Sequence, residues 1–216
     1  MAELSAKQIM EFSKKTGVAL MECKKALVQA NGNEDEAVKI LREKGVATAA
    51  KKASRIAAEG LVESYIHMGG KIGVLLEVNC ETDFVAKTDT FKTLVHNIAM
   101  HIAAANPAYL RREEVPADVI ASEQEIARTK ALNDGKPEKI IDKIVEGAVN
   151  KYYKENCLLE QQYMLDTSLT IEQLVNDATI KCGEKISVRR YTRYMMGEGL
   201  EKRQDNFAEE VMSQVK

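Results

Sequence analysis

Between Leu61 and Ile102 the apolar residues change their period, and that switch decides what the chain can fold into. "LVESYIHM" and "KIGVLLEVN" alternate in strand fashion, and in the second run Ile72, Val74, Leu76 and Val78 fall on one face. Gly69-Gly70 between the runs reads as the two-residue connection of a primed hairpin turn. Downstream, Phe91, Leu94, Val95, Ile98, Ala99 and Ile102 recur at helical spacing, which predicts an amphipathic helix lying on that strand face. The segment "KISVRRYTRYMM" alternates again and predicts a third strand. A small antiparallel sheet backed by helices is an α+β fold.

The rest of the chain arranges itself around this core. Ser5-Ala6-Lys7-Gln8 is a capping box that opens a helix ending near Gly17, "LMECKKALVQA" gives a second helix, and a third starts at Asn33 and ends at Gly45. Ile9, Phe12, Leu20, Ala26, Leu27, Ala37, Val38 and Leu41 fit a three-helix bundle over residues 1–45. "VATAAKKASRIAAEG" reads as an alanine-rich linker helix over 46–60, closed by Gly60, with Lys51, Lys52 and Arg55 outward. Pro116 and Pro137 stand at helix starts around the turn signal Asn133-Asp134-Gly135, so residues 115–156 read as an antiparallel helical hairpin. Its seam would use Val119, Ile120, Ile126, Ile140, Ile141, Ile144, Val145, Val149 and Tyr152. The α+β core then spans 61–114 and 157–200, with a capping box at Thr170 to Gln173, and 201–216 is a C-terminal module with a helix carrying Phe207 and Val211.

Composition narrows the function classes. In 216 residues, 30% are charged but the net charge is only −2, so any nucleic-acid or membrane contact would have to be local. The N-terminal residues lack the apolar stretch of a signal peptide and no long apolar run follows, which points to the cytosol. Cys23, Cys80, Cys157 and Cys182 form no C-x-x-C pair and have no histidine at zinc-ligand spacing, so no metal is expected and the thiols read as reduced. There is no nucleophile elbow, phosphate-cradling glycine loop or paired carboxylate, and the chain reads as a binding protein and not an enzyme.

Several residues admit two readings. Arg189, Arg190 and Arg193 interleave with Tyr191 and Tyr194, which fits either an RNA-binding platform or solvated arginines beside packed tyrosines; strand alternation puts Arg189, Tyr191 and Arg193 on one face. Cys23 beside Lys24 and Lys25 is a reactive thiol or a buried helical cysteine. His67 is an acid–base group or a polar residue at a hairpin tip. In "NCETDFVAKTDTF", Phe84 follows Asp83 where the strand should have ended, and its spacing allows either a staple for the helix starting near Asp89 or an exposed contact.

"TGVALMECKKALVQANGNEDEAVKILREKG", "AAKKASRIAAEG", "EVNCETDFVAKTDTF" and "YMMGEGLEKR", in this order from about residue 4 to the end, resemble the elongation factor Ts family. The resemblance implies a guanine-nucleotide exchange factor for elongation factor Tu, with a ubiquitin-associated-like N-terminal module. It implies that Thr82, Asp83, Phe84 and Val85 form the segment that dislodges Mg²⁺ from the partner's nucleotide site. Leu20 and Met21 match a second partner contact, with Ala-Leu-Met where the family more often has Gly-Met-Met, and His67 matches a partner-facing histidine of a second core copy that this chain lacks. The single core resembles the family's short form, which implies a homodimer, whose contact could hold Cys157 or Cys182. No cofactor is implied for the chain itself: GDP, GTP and Mg²⁺ belong to the partner. An RNA-binding, translation-associated protein is the alternative.

Overall fold

The structure is a computed structural model and describes residues 4–201. The expected C-terminal helix with Phe207 and Val211 lies outside them. Helices α1 (Ala6–Thr16), α2 (Leu20–Gln29) and α3 (Glu34–Lys52) form the N-terminal bundle, with α1 opened by the Ser5–Gln8 capping box and α3 by Asn33, whose side chain accepts from the Glu36 N–H. Phe12, Cys23, Leu27, Ala37 and Leu41 fill its interior, and the Cys23 thiol donates to the Val18 carbonyl at 3.3 Å, so this cysteine is a packed core residue. Leu20 is not part of that core; it stands exposed on the first turn of α2.

The third helix does not stop at Gly45, and no separate linker helix follows. It runs through to Lys52, because Gly45 marks a close helix crossing: a Cβ there would sit 2.7 Å from Cδ1 of Ile180. Gly60 closes no helix either. It lies in a strand opposite Asn79, at φ 141°, where a Cβ would fall 2.2 Å from the Val78 carbonyl oxygen.

Strands β1 (Glu59–His67) and β2 (Ile72–Cys80) pair antiparallel with Glu59 opposite Cys80 and His67 opposite Ile72. Their connection is four residues, Met68 to Lys71, not two: Met68, Gly69 and Gly70 all take positive φ, and the Gly70 and Lys71 N–H groups both donate to the His67 carbonyl. Helix α4 (Asp83–Ala86) is a single turn, and α5 (Asp89–Ala105) lies across the sheet, burying Phe91, Leu94, Val95, Ile98 and Ile102 against Val74, Leu76 and Val78.

Helices α6 (Ala117–Asn133) and α7 (Glu138–Asn156) form the hairpin, each entered from a proline. Its seam is narrower than the apolar spacing suggested. Ala131, Ile141 and Val145 are buried and pack with Ala127 and Ile144, while Ile126 and Ile140 face water. A short ribbon of β3 (Gln162–Tyr163) and β4 (Asp166–Thr170) leads into α8 (Ile171–Cys182), which starts at the Thr170–Gln173 capping box and packs against both α3 and α5.

The last strand, β5 (Ser187–Met195), joins β2, giving an antiparallel sheet of order β1-β2-β5. A bulge changes its register, since Glu77 pairs with Arg190 but Val78 pairs with Val188. Arg189 is therefore displaced from the face of Tyr191 and Arg193 and turns outward beside Arg190. Among the described residues, helices cover only the inner face of the sheet. On the outer face Val62, Ile66, Leu75 and Tyr194 are between 53% and 72% exposed. No helix among the described residues is long and apolar enough to cross a membrane.

Candidate partner-binding site

Where β2 ends, the chain builds a small platform. The Thr82 hydroxyl oxygen caps α4 by accepting from the Val85 N–H at 3.4 Å, and six residues later Thr88 caps α5 by accepting from the Phe91 N–H at 3.3 Å. Two caps this close leave one helical turn standing at the end of the sheet. The Cys80 thiol donates to the Thr82 carbonyl at 3.1 Å, and burial pushes that thiol up to about 11, so it serves as a neutral donor and not a nucleophile.

On this turn the four motif residues take different positions. Thr82 and Val85 are half-buried and tie it to the body, with Val85 packed against the main core. Asp83 accepts from the Lys87 ammonium at 2.6 Å one turn on, which holds the lysine above its ordinary pKa. Phe84 is 81% exposed, whereas Phe91, seven residues on, is 0% exposed. Of the two readings that spacing allowed for Phe84, the helix staple is excluded: Phe91 occupies the inward position.

The other expected residues lie elsewhere. Leu20 and Met21 are exposed on the first turn of α2, in the N-terminal bundle. His67 ends β1, opposite Ile72, and so lies at the far end of the sheet from Thr82, about 25 Å along the strand. There its Nδ1 lies 3.0 Å from the Tyr65 hydroxyl, with the two rings stacked at 5.8 Å. Cys157 is fully buried and Cys182 is half-buried against the core.

The arginine and tyrosine strand is largely committed to internal partners. Glu77 accepts from Arg189 at 2.8 Å and from Arg190 at 2.7 Å, and these bonds hold its carboxyl below the usual range. Arg193 donates to the Ala103 carbonyl and the Tyr191 hydroxyl to the Pro107 carbonyl, with burial raising the tyrosine's pKa. Among these five side chains, Tyr194 is the aromatic left facing water.

Four residues meet at the base of the platform in a way that no sequence pattern indicates. Glu81, Glu184, Lys185 and Arg55 converge beneath Thr82 from three segments, the widest pair 130 positions apart. The only local signal was "CGEK" after α8, where a helix-closing glycine precedes a charged pair.

A sequence model described as elongation factor TS matches residues 1–198. The chain belongs to the elongation factor Ts family. It is 59% identical over 216 residues to elongation factor Ts of Desulforamulus reducens, covering 100% of both chains. It is also 59% identical over 212 residues to elongation factor Ts of Heliobacterium modesticaldum, covering 98% of this chain and 99% of the relative. Against elongation factor Ts of Geobacter metallireducens the identity is 57% over 208 residues, 96% of each. Membership in the elongation factor Ts family carries a nucleotide-exchange role in translation elongation, and not the catalysis of a chemical reaction.

Proposed function

We propose that the chain binds elongation factor Tu in its GDP form and speeds GDP release by offering Phe84 as an apolar wedge. The observation that carries this reading is an 81%-exposed phenylalanine on a capped, anchored helical turn. Burying one such side chain in a partner's apolar pocket supplies about 1.5–3 kcal/mol, and aromatic anchors dominate many interfaces. Mg²⁺ demands near-ideal octahedral geometry, so a small displacement of its ligands in the partner weakens both metal and phosphate binding. Thr82, Asp83 and Val85 hold the wedge at its angle, and Leu20 with Met21 makes a second apolar contact. By linkage, a factor that weakens GDP is itself weakened by GDP to the same degree, which makes the effect reversible and suits an exchanger.

The working form in this proposal is a homodimer. The apolar outer face of the sheet supports it, because Ile66, Leu75 and Tyr194 would be covered by the same face of a second copy. The second protomer then supplies the second core, and His67 of the partner subunit becomes the available partner-facing histidine. In the cytosol, where elongation takes place, the chain needs no cofactor of its own.

The test is release of a fluorescent GDP from elongation factor Tu, with and without the chain, before and after Mg²⁺ is chelated. The reading predicts strong acceleration with Mg²⁺ present and a much smaller one after chelation, since the metal to be displaced is already gone. An undiminished acceleration after chelation would remove the metal from the mechanism, and no acceleration in either condition would remove exchange itself.

A further inference from the structure

A one-turn helix does not hold its own direction. Fixing the first turn is the unfavourable part of helix formation, and α4 has only four residues to offset it. What holds it comes from the other end of the core. Gly183, in the left-handed conformation at φ 71°, closes α8, and the next residue, Glu184, reaches the start of the motif. One Glu184 carboxylate oxygen accepts from the Glu81 N–H at 3.1 Å and the Thr82 N–H at 3.0 Å, and the other accepts from the Thr82 hydroxyl at 2.6 Å. Thr82 thus uses its hydroxyl twice, donating to Glu184 and accepting from the Val85 N–H.

Lys185 completes the clamp. Its N–H donates to Glu81 Oε1 at 2.6 Å, and its ammonium donates to the carbonyls of Ala53 at 2.7 Å and Arg55 at 2.9 Å. The Arg55 guanidinium closes the ring on Glu81 at 3.3 Å. The segment that leaves the N-terminal bundle, the end of β2 and the loop after α8 are therefore tied together at Glu81 and Thr82, where the turn carrying the exposed Phe84 begins.

We propose that Glu184 is a positioning residue for nucleotide exchange: it points Phe84 at the partner without touching the partner itself. This rests on the reading of Phe84 as the wedge. Three hydrogen bonds to one carboxylate are charge-assisted; two come from Thr82, the residue that caps α4, and the third from Glu81 just before it. Without them the turn samples other directions, and the ordering that the fold now supplies in advance must be met on binding. The loss therefore appears as a higher half-maximal concentration of the chain in GDP release, with the folded core unchanged.

The experiment uses the full-length chain with Glu184→Ala, Glu184→Gln, Phe84→Ala and the Glu184→Ala/Phe84→Ala double variant, measuring amide hydrogen exchange by NMR and GDP release from elongation factor Tu. Glu184→Ala is expected to speed exchange at the Glu81 and Thr82 amides about tenfold or more, to leave Ile98 and Ile102 protected, and to raise the half-maximal concentration about tenfold. Glu184→Gln keeps one acceptor oxygen and should fall between wild type and Glu184→Ala in both readouts, which keeps the test valid if the alanine variant folds poorly. In the double variant the two losses should not add, because a wedge that is gone has no direction to lose. Wild-type exchange at the two amides, wild-type release by the Glu184 variants, or fully additive losses would overturn the role of Glu184 alone. Wild-type release by Phe84→Ala would instead overturn the wedge, and this proposal with it.

Discussion

Two helices follow one another at the end of β2, each capped by a threonine and each carrying a phenylalanine in its first turn, yet they are stabilised by opposite means. Helix α5 is held by burial: Phe91, Val95, Ile98 and Ile102 have no exposed surface, and the sheet supplies the other half of their packing. Helix α4 buries only Ala86, with Val85 half-buried against the core, and the start of its turn is fixed by hydrogen bonds at its N-terminus, among them those to a carboxylate about 100 residues away. An apolar side chain can thus be left in water at a fixed angle if polar groups underneath do the holding. That division separates burial from exposure along a stretch of a few residues.

The greatest loss is expected where burial does the work, in α5. Phe91→Ala should cost about 3–5 kcal/mol of unfolding free energy, from lost transfer energy plus the cavity left in a packed core, read from denaturant midpoints. A cost near zero would mean that α5 is not the keystone of the core.

Next in size is the outer face of the sheet, where apolar groups are again exposed. Leu75→Asp would place two carboxylates in or near the contact of a symmetric dimer, and sedimentation should then show monomer where the wild-type chain shows dimer. A wild-type monomer would refute the dimer outright, and a dimeric variant would move the contact to another surface.

The smallest effect concerns a polar group inside the burial-dominated helix. His101 on α5 is buried, with Nε2 3.0 Å from Gln161 Oε1 and with no hydrogen-bond partner for Nδ1 among the described residues. Burial holds its pKa below the ordinary 6.5. Because the folded value is the lower one, the unfolded chain binds the proton first. This contribution to stability is present above about pH 6.5 and is lost as the pH falls towards the folded value, at no more than about 1.4 kcal/mol per pH unit. Replacing His101 with Gln should flatten that acid slope, and an unchanged slope would assign it to other groups.

How much of this was legible in the sequence follows the range of the interactions. Capping boxes at Ser5 and Thr170, prolines at Pro116 and Pro137, and the apolar period of β2 and α5 are local signals, and the elements formed where these residues placed them. Gly45 misled because a glycine at a helix crossing looks the same in sequence as a glycine that ends a helix, and only Ile180, 135 positions away, tells them apart. The bulge at Arg189 was invisible for a similar reason: strand alternation cannot show where a neighbouring strand drops a residue. At the site, the family motif singled out Phe84, but Glu184 and Lys185 carry no pattern that connects them to Thr82 across a hundred residues of chain.

We propose that Phe84 works for a partner and not for the fold. This is tested by measuring Phe84→Ala twice, for unfolding free energy and for GDP release from elongation factor Tu. Expected are a stability within about 0.5 kcal/mol of wild type, as for an exposed side chain away from the core, and a sharp loss of accelerated release. A variant that releases GDP at the wild-type rate, or one that loses release only because it unfolds, would contradict it.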